Sequence, residues 1–276
     1  MSETNNSEID YKSETDYNNE IKKFDSKKQW IFLMKQLIQR DFKSRYKRAF
    51  FGVMWSMISP LIFFVAQAIV FSFLFDRGEH YITYLITGNI VYHYFTDASQ
   101  NGMHALGVNA GIISHIKVKK YIFLLSKNIA CFFNFCLTLI IMFIIMLIDG
   151  LQFHWTFVFL LYPIVCLFFV NLGFGYILST LQVFFKDTQY FYNIFTRILI
   201  YFSAIFYQID RFPEKYQHLF FYNPIYPFIN FFRMVIMEHT VPEIGQSIFC
   251  LLYAILFMCF GWVSYKINNN RFIYYL

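Results

Sequence analysis

Apolar side chains run along this chain in long unbroken stretches, not in the short alternations of strands. From Ala49 to Phe75 no charged side chain occurs. A helix of that length reaches about 40 Å, enough to cross a hydrocarbon core of about 30 Å with some tilt. Comparable stretches recur, and together they predict six spans, at about 50–75, 81–100, 128–148, 156–182, 189–208 and 245–265. Short polar breaks separate them: Asp76 to His80, Asp149-Gly150, and Lys186-Asp187. The second span is the weakest, thinned by His93, Asp97 and Asn101, and residues 102–127 are too polar to cross. The fold class expected is an all-α integral membrane protein with six transmembrane helices.

Three segments depart from this pattern. Residues 1–26 are acidic and polar, with no apolar h-region, and predict a disordered tail, not a cleavable signal. Residues 27–48 place Trp30, Met34, Leu37, Ile38, Phe42 and Tyr46 at helical spacing among Lys and Arg, the pattern of an amphipathic helix in the headgroup layer. A helix packed on another protein domain would carry the same stripe. In residues 209–244, the apolar part from Leu219 to Met237 is interrupted by Asn223-Pro224, Pro227, Asn230 and Arg233. Prolines break helices and polar groups are costly in lipid, so this part reads as a re-entrant hairpin on the outer side. The membrane domain therefore covers 27–276.

Composition agrees: 58% of residues are hydrophobic and 14% charged, against about 25% charged in soluble domains. The net charge of +6 reflects cations clustered beside the spans, which orient a membrane protein and do not point to nucleic acid. With the N-terminus inside, 15 Lys and Arg fall on inside flanks and 4 in outside loops. Both termini are thereby expected in the cytoplasm. The five cysteines lie in apolar runs without metal-ligand spacing and read as small buried hydrophobes.

Catalytic patterns are missing. No Gly-Lys dipeptide occurs, so there is no Walker A loop. No HExxH, GxSxG or paired-carboxylate site exists, and no two of the seven histidines stand at i,i+4. Gradient-driven transporters place ionisable groups at mid-membrane, whereas these spans hold few, Arg197 being the main exception. A polytopic chain of this kind takes its energy from elsewhere. No cofactor or metal is expected on it.

One run carries a family resemblance: RDFKSRYKRAFFGVMWSMISPL, from Arg40 to Leu61. The order Arg-Asp, Lys, Arg-Tyr-Lys, Gly52, Trp55 and Pro60-Leu61 resembles the permease subunits of type-2 ATP-binding-cassette exporters. Within these it is most similar to the branch exporting lipid-linked polysaccharide, O-antigen or teichoic-acid-type (polyol phosphate) polymers. Residues 107–127 resemble that family's cytoplasmic coupling region, through Asn109-Ala110, Ile112-Ile113, Lys117 and Lys119-Lys120. Members commonly carry prolines near the positions of Lys119 and Leu124, which this chain lacks. Lys186-Asp187 and Asn223-Pro224 are weaker matches.

The resemblance implies a homodimer in a bacterial cytoplasmic membrane, bound to two copies of a separate ATP-binding subunit that holds the ATP and Mg. A conduit for a polyprenyl-linked polymer would run between the protomers. The aliphatic pair Ile112-Ile113 and the lysines Lys117, Lys119 and Lys120 would insert into the partner; an ordinary interfacial loop would read the same way. The cations Arg40, Lys43, Arg45, Lys47 and Arg48 would attract an anionic head group at the cytoplasmic gate. Candidates for a sugar path are Phe63, Phe64 and Phe71 on the first span and Tyr201 and Phe202 on the fifth, although lipid-facing aromatics have the same composition. Arg197 either snorkels to head groups or meets a pyrophosphate. Two other functions share parts of this pattern: a permease for small hydrophobic compounds, and a membrane enzyme of lipid-linked glycan assembly.

Overall fold

The computed structural model describes residues 27–46, 53–74, 80–115 and 118–275. The tail 1–26 lies outside them. The described residues form helices and turns without a strand: α1 (Lys27–Tyr46), α2 (Val53–Leu74), α3 (Tyr81–Val108), α4 (Ala110–His115), α5 (Tyr121–Ile148), α6 (Leu161–Phe184), α7 (Thr188–Phe202), α8 (Glu214–Phe220), α9 (Tyr226–Met237), α10 (Ile244–Asn268) and α11 (Phe272–Tyr275). A 3₁₀ segment, Trp155–Leu160, leads into α6. Among the described residues, three helices are long and apolar enough to cross a membrane: α5, the combined Trp155–Phe184, and α10.

Helix α3 is the central strut. It packs on α2, α5, α6 and α9, and from Thr83 to Tyr92 every residue is buried. Close approach is purchased with glycine: a Cβ on Gly102 of α3 would stand 2.9 Å from the Gly175 Cα of α6. On the other side of α6, a Cβ on Gly173 would overlap the Phe257 carbonyl of α10. Without a hydrophobic force between helices in lipid, small residues let backbones meet and gain dispersion contact.

The first turn of α3 is capped across the bundle. Asp149, at the end of α5, accepts from the Thr83 N–H (3.3 Å) and the Thr83 hydroxyl (2.6 Å). His80 Nδ1 lies 2.9 Å from the Asp149 carbonyl. A carboxylate at a helix N-terminus satisfies otherwise unpaired N–H groups and opposes the positive end of the helix dipole.

Several boundaries are corrected. The second predicted span ends at about 100, but α3 continues to Val108. Its polar residues are satisfied within the helix: the Asn101 amide donates to the Asp97 carbonyl (2.7 Å) and carboxylate (2.9 Å). The third helix starts at Tyr121 and includes Lys127, whose charge meets Asp41 of α1 at 3.0 Å. The fifth helix stops at Phe202, not 208, because the chain turns at Ala204 with φ of 49°. Its 15 residues reach only about 22 Å, too short to cross a core of about 30 Å unaided.

Helix α1 is amphipathic as expected, but its stripe rests on the protein itself. Trp30 stacks on Tyr121 with centroids 5.7 Å apart, and Leu33, Met34 and Leu37 join the same cluster around α5. Ile31 and Phe32 remain exposed. Residues 209–244 contain two short helices, α8 and α9. Most of α9 is buried, from Tyr226 to Ile229 and again at Phe231, Phe232, Arg233, Val235 and Ile236.

Candidate coupling end and aromatic face

The residues expected to couple to a partner gather where α3 ends. Asn109 has φ −105° and ψ 13°, which breaks the helix between α3 and α4. Its side-chain amide donates to the Ala105 carbonyl (2.7 Å), and its own carbonyl accepts the Ile112 and Ile113 N–H groups, each at 3.0 Å. Asn109 thus ends one helix and starts the next at a fixed angle.

The expected aliphatic pair is divided by this turn. Ile113 is 7% exposed, packed in the cluster with Ala105, Leu106 and Phe123. Ile112 is half-buried, and the outward surface is made by Val108 (68% exposed), Gly107, Gly111 and His115. Helical geometry explains the split, since consecutive residues point about 100° apart.

The lysines divide as well. Lys120 is buried; its ammonium donates to the Asn269 carbonyl and stands 5.5 Å from the Phe272 ring. Burial draws its pKa below the usual ammonium value. It ties α5 to the C-terminal segment. Lys119 is exposed and sits 4.9 Å over the Trp30 ring. Lys117 lies outside the described residues.

Of the basic cluster, Lys47 and Arg48 also lie outside the described residues, and Arg45 is described by its backbone alone. Lys43 is exposed. Arg40 pairs with its neighbour Asp41 at 2.9 Å. Asp41 is 7% exposed and also meets Lys127 at 3.0 Å, clamping α1 to α5. This clamp escaped sequence reading, because Lys127 looked like another inside-flank cation. A lone carboxylate within a basic run was the available signal.

The aromatic path candidates separate by burial. Phe63 is 57% exposed, and Tyr201 and Phe202 are each 63% exposed. Phe64 is 4% exposed, edge-on to His93 at 6.5 Å. Phe71 is half-buried and stacks on Phe206 at 4.6 Å. Arg197 is exposed. Helix α7 is anchored by few groups: Tyr92 donates to the Thr196 carbonyl, and the Tyr192 and Ser99 hydroxyls bond each other. Only Tyr192 and Leu199 of α7 are buried. Phe191, Ile194, Ile198, Tyr201 and Phe202 form an open apolar face.

At the opposite end of α3, the turn after α7 is held by groups from the hairpin. Asn223 donates to the Phe202 carbonyl (2.9 Å) and contacts the Ser203 hydroxyl (3.0 Å), and its oxygen accepts the Ile225 N–H (2.9 Å). Arg233 is 6% exposed. It donates to the carbonyls of Ala204 (2.8 Å), Ile205 (3.1 Å) and Tyr84 (3.3 Å), with its guanidinium 3.4 Å from the Tyr84 ring centroid. The sequence marks Arg233 as an outside-loop cation and as a polar interruption of the hairpin, and gives it no partner. Its signal was a single charge inside the aromatic run YPFINFFRMVIM.

These features define a multi-pass helical membrane protein of the transporter permease class. The chain matches the family model for ABC-2 type transporters over residues 33–237, and it belongs to that family. Its curated relatives include an O-antigen export system permease protein RfbA of Klebsiella pneumoniae, 26% identical over 76% of this chain and 82% of the relative. A second RfbA, of Myxococcus xanthus, is 20% identical over 88% and 94%. The capsule polysaccharide export inner-membrane protein CtrC of Neisseria meningitidis serogroup B is 20% identical over 82% and 86%. The family is one of permease subunits, not enzymes, and membership implies an ATP-binding-cassette partner.

Proposed function

We propose that this chain is the permease subunit of an ATP-driven exporter that moves a lipid-linked cell-surface polysaccharide, or a teichoic-acid-type polymer, across a bacterial cytoplasmic membrane. ATP and Mg bind a separate subunit. Six spans are formed by α2, α3, α5, the Trp155–Phe184 segment, α7 with the turn that follows it, and α10. The excess of Lys and Arg near α1, α4 and α11 supports cytoplasmic termini, and the tail 1–26 precedes a single permease domain at 27–276.

The observation that carries the reading is the open face of α7. Fifteen residues bury only two side chains, leaving an apolar face that either lipid or a second copy of the chain can cover. A second copy set against α2 and α7 would cover part of this face and leave aromatic rings, among them Phe63, Tyr201 and Phe202, beside a conduit. Aromatic faces fit the C–H surfaces of sugars, and the names of the relatives support a glycan cargo. Lys43 and the neighbouring cations of α1 lie at the proposed cytoplasmic gate. The coupling surface is Val108, Gly111, Ile112 and His115.

Depletion of this protein, followed by mass spectrometry of lipid-linked glycans, tests the reading. A long polyprenyl-linked polymer should accumulate inside the cell and disappear from the surface. A normal surface glycan with an unchanged lipid-linked profile would remove it, and truncated intermediates alone would point to an assembly enzyme instead.

A further inference from the structure

The end of α3 that carries Tyr84 borders a cavity of about 520 Å³, within the range of about 300–1,000 Å³ of small-ligand sites. Its walls come from α3, α9, the start of α10, the segment Gln208–Asp210 and α8. Two larger hollows, against α6 and α10 and between α7 and α8, are lined almost wholly by apolar side chains. This one is polar. Amides of Gln217, Asn230 and Gln246 and the carboxylates of Asp210 and Glu238 face it, beside the aromatic bodies of Tyr226 and Phe221.

The framework is fixed before any ligand arrives. Arg233 ties α9 to the carbonyls of Ala204, Ile205 and Tyr84. Tyr84 donates to the Tyr207 carbonyl (2.6 Å), and Tyr81 to the Phe206 carbonyl (3.1 Å). A site whose walls are already ordered loses little entropy on binding.

Charge selects the ligand. The Arg233 guanidinium donates to three neutral carbonyls and lies against the Tyr84 ring, which leaves its positive charge in place at the back of the cavity. Two carboxylates, Asp210 and Glu238, stand on the cavity wall. With two carboxylates against one guanidinium the lining is net negative, which disfavours phosphate or uronate. Hydroxyl groups suit this lining: carboxylates accept from two hydroxyls, amides both donate and accept, and an aromatic wall takes the apolar face of a sugar ring.

We infer that this cavity is a binding subsite for a neutral sugar residue, built within each protomer at the end of the bundle opposite the coupling helix. The inference rests on the export reading, and it narrows the cargo to a polymer that contains neutral, hydroxyl-rich units.

The full-length protein in lipid nanodiscs is probed by saturation-transfer NMR with mannobiose, galactobiose, chitobiose and a glycerol-phosphate trimer. At least one neutral disaccharide should bind, and the trimer should not. Asp210→Asn and Gln246→Ala, at exposed and half-buried positions, should each weaken that binding about tenfold, as loss of a hydrogen-bonding group does. Gln217→Trp, which fills the hollow, should abolish it, and Phe260→Ala, at an exposed position of α10, should retain it. Silence from all three disaccharides, preference for the phosphate trimer, or binding indifferent to Gln217→Trp would each overturn the inference. Depletion separates the two readings. Loss of surface glycan alongside a silent cavity removes only this inference, whereas a normal surface glycan removes the export reading itself.

Discussion

The two ends of α3 solve the same problem in different ways. At each, a helix breaks and leaves backbone groups to be satisfied away from water. At the Tyr84 end, a buried arginine, two tyrosines and Asn223 together hold five carbonyls and a hydroxyl around the turn after α7. At the Val108 end, Asn109 closes the turn locally, and Lys120 with the Asp41–Lys127 pair supplies the long-range ties. The first arrangement is a rigid knot. The second, referred to below as the hinge, is a short turn closed on itself with an outward surface, the one proposed above for coupling.

The sharpest way to break the comparison is Arg233→Lys. An ammonium keeps the charge but cannot fork to three carbonyls in fixed directions, nor lie flat over the Tyr84 ring. The freed carbonyls remain buried, and the loss should be about 3–5 kcal/mol. Melting of the purified protein in detergent should fall by many degrees, or the folded fraction should vanish. A variant that melts with the parent would show that the knot carries no stability.

Next in size is a contrast within a single short helix. Ile113→Asp places a carboxylate among Ala105, Leu106 and Phe123, where an unpaired charge is strongly destabilising, about 3 kcal/mol. Val108→Asp, at an exposed position, should change stability by only about 0.5 kcal/mol, yet should reduce export and the ATPase activity of the assembled complex. Equal melting of the two variants would dissolve the distinction between packed and partner-facing residues. Normal export by Val108→Asp would remove the coupling surface.

The hinge was more legible in the sequence than the knot, for a physical reason. Residues 107–127 announce themselves locally, by a polar break, an aliphatic pair and a run of lysines. What local pattern could not supply was direction: Ile112 and Ile113 look equivalent in a string, and only the helix register separates them. Lys119 and Lys120, in the segment just before α5, divide as well, one meeting Trp30 and the other the Asn269 carbonyl. The knot depends on Arg233 meeting Tyr84 and Ala204, residues far apart in sequence that no spacing rule connects. The apolar runs foretold the helices well, because burial in lipid demands continuous hydrophobicity. Their ends were less legible, because internal bonds such as Asn101 to Asp97 and cross-helix pairs such as Lys127 to Asp41 allow polar residues to remain helical.

The smallest expected effect tests whether α1 is a strap on the hinge or a passive neighbour. Asp41 is buried and meets Lys127 at 3.0 Å, and Arg40 shares the same carboxylate oxygen at 2.9 Å. An exposed pair is worth about 0–1 kcal/mol, and loss of one partner of a buried pair costs about 3–5 kcal/mol. This pair has one buried and one partly exposed member, so its coupling energy should fall near 2 kcal/mol. A double-mutant cycle with Asp41→Asn and Lys127→Met isolates that term from the separate losses. Removing Asp41 should also free the segment around Trp30 and make it a faster target for limited proteolysis, whereas the Arg233 end should be unaffected. A coupling energy near zero would leave the stacking of Trp30 on Tyr121 as the main attachment of α1. In that case the strap would be apolar, and its release would respond to the lipid around it more than to charge.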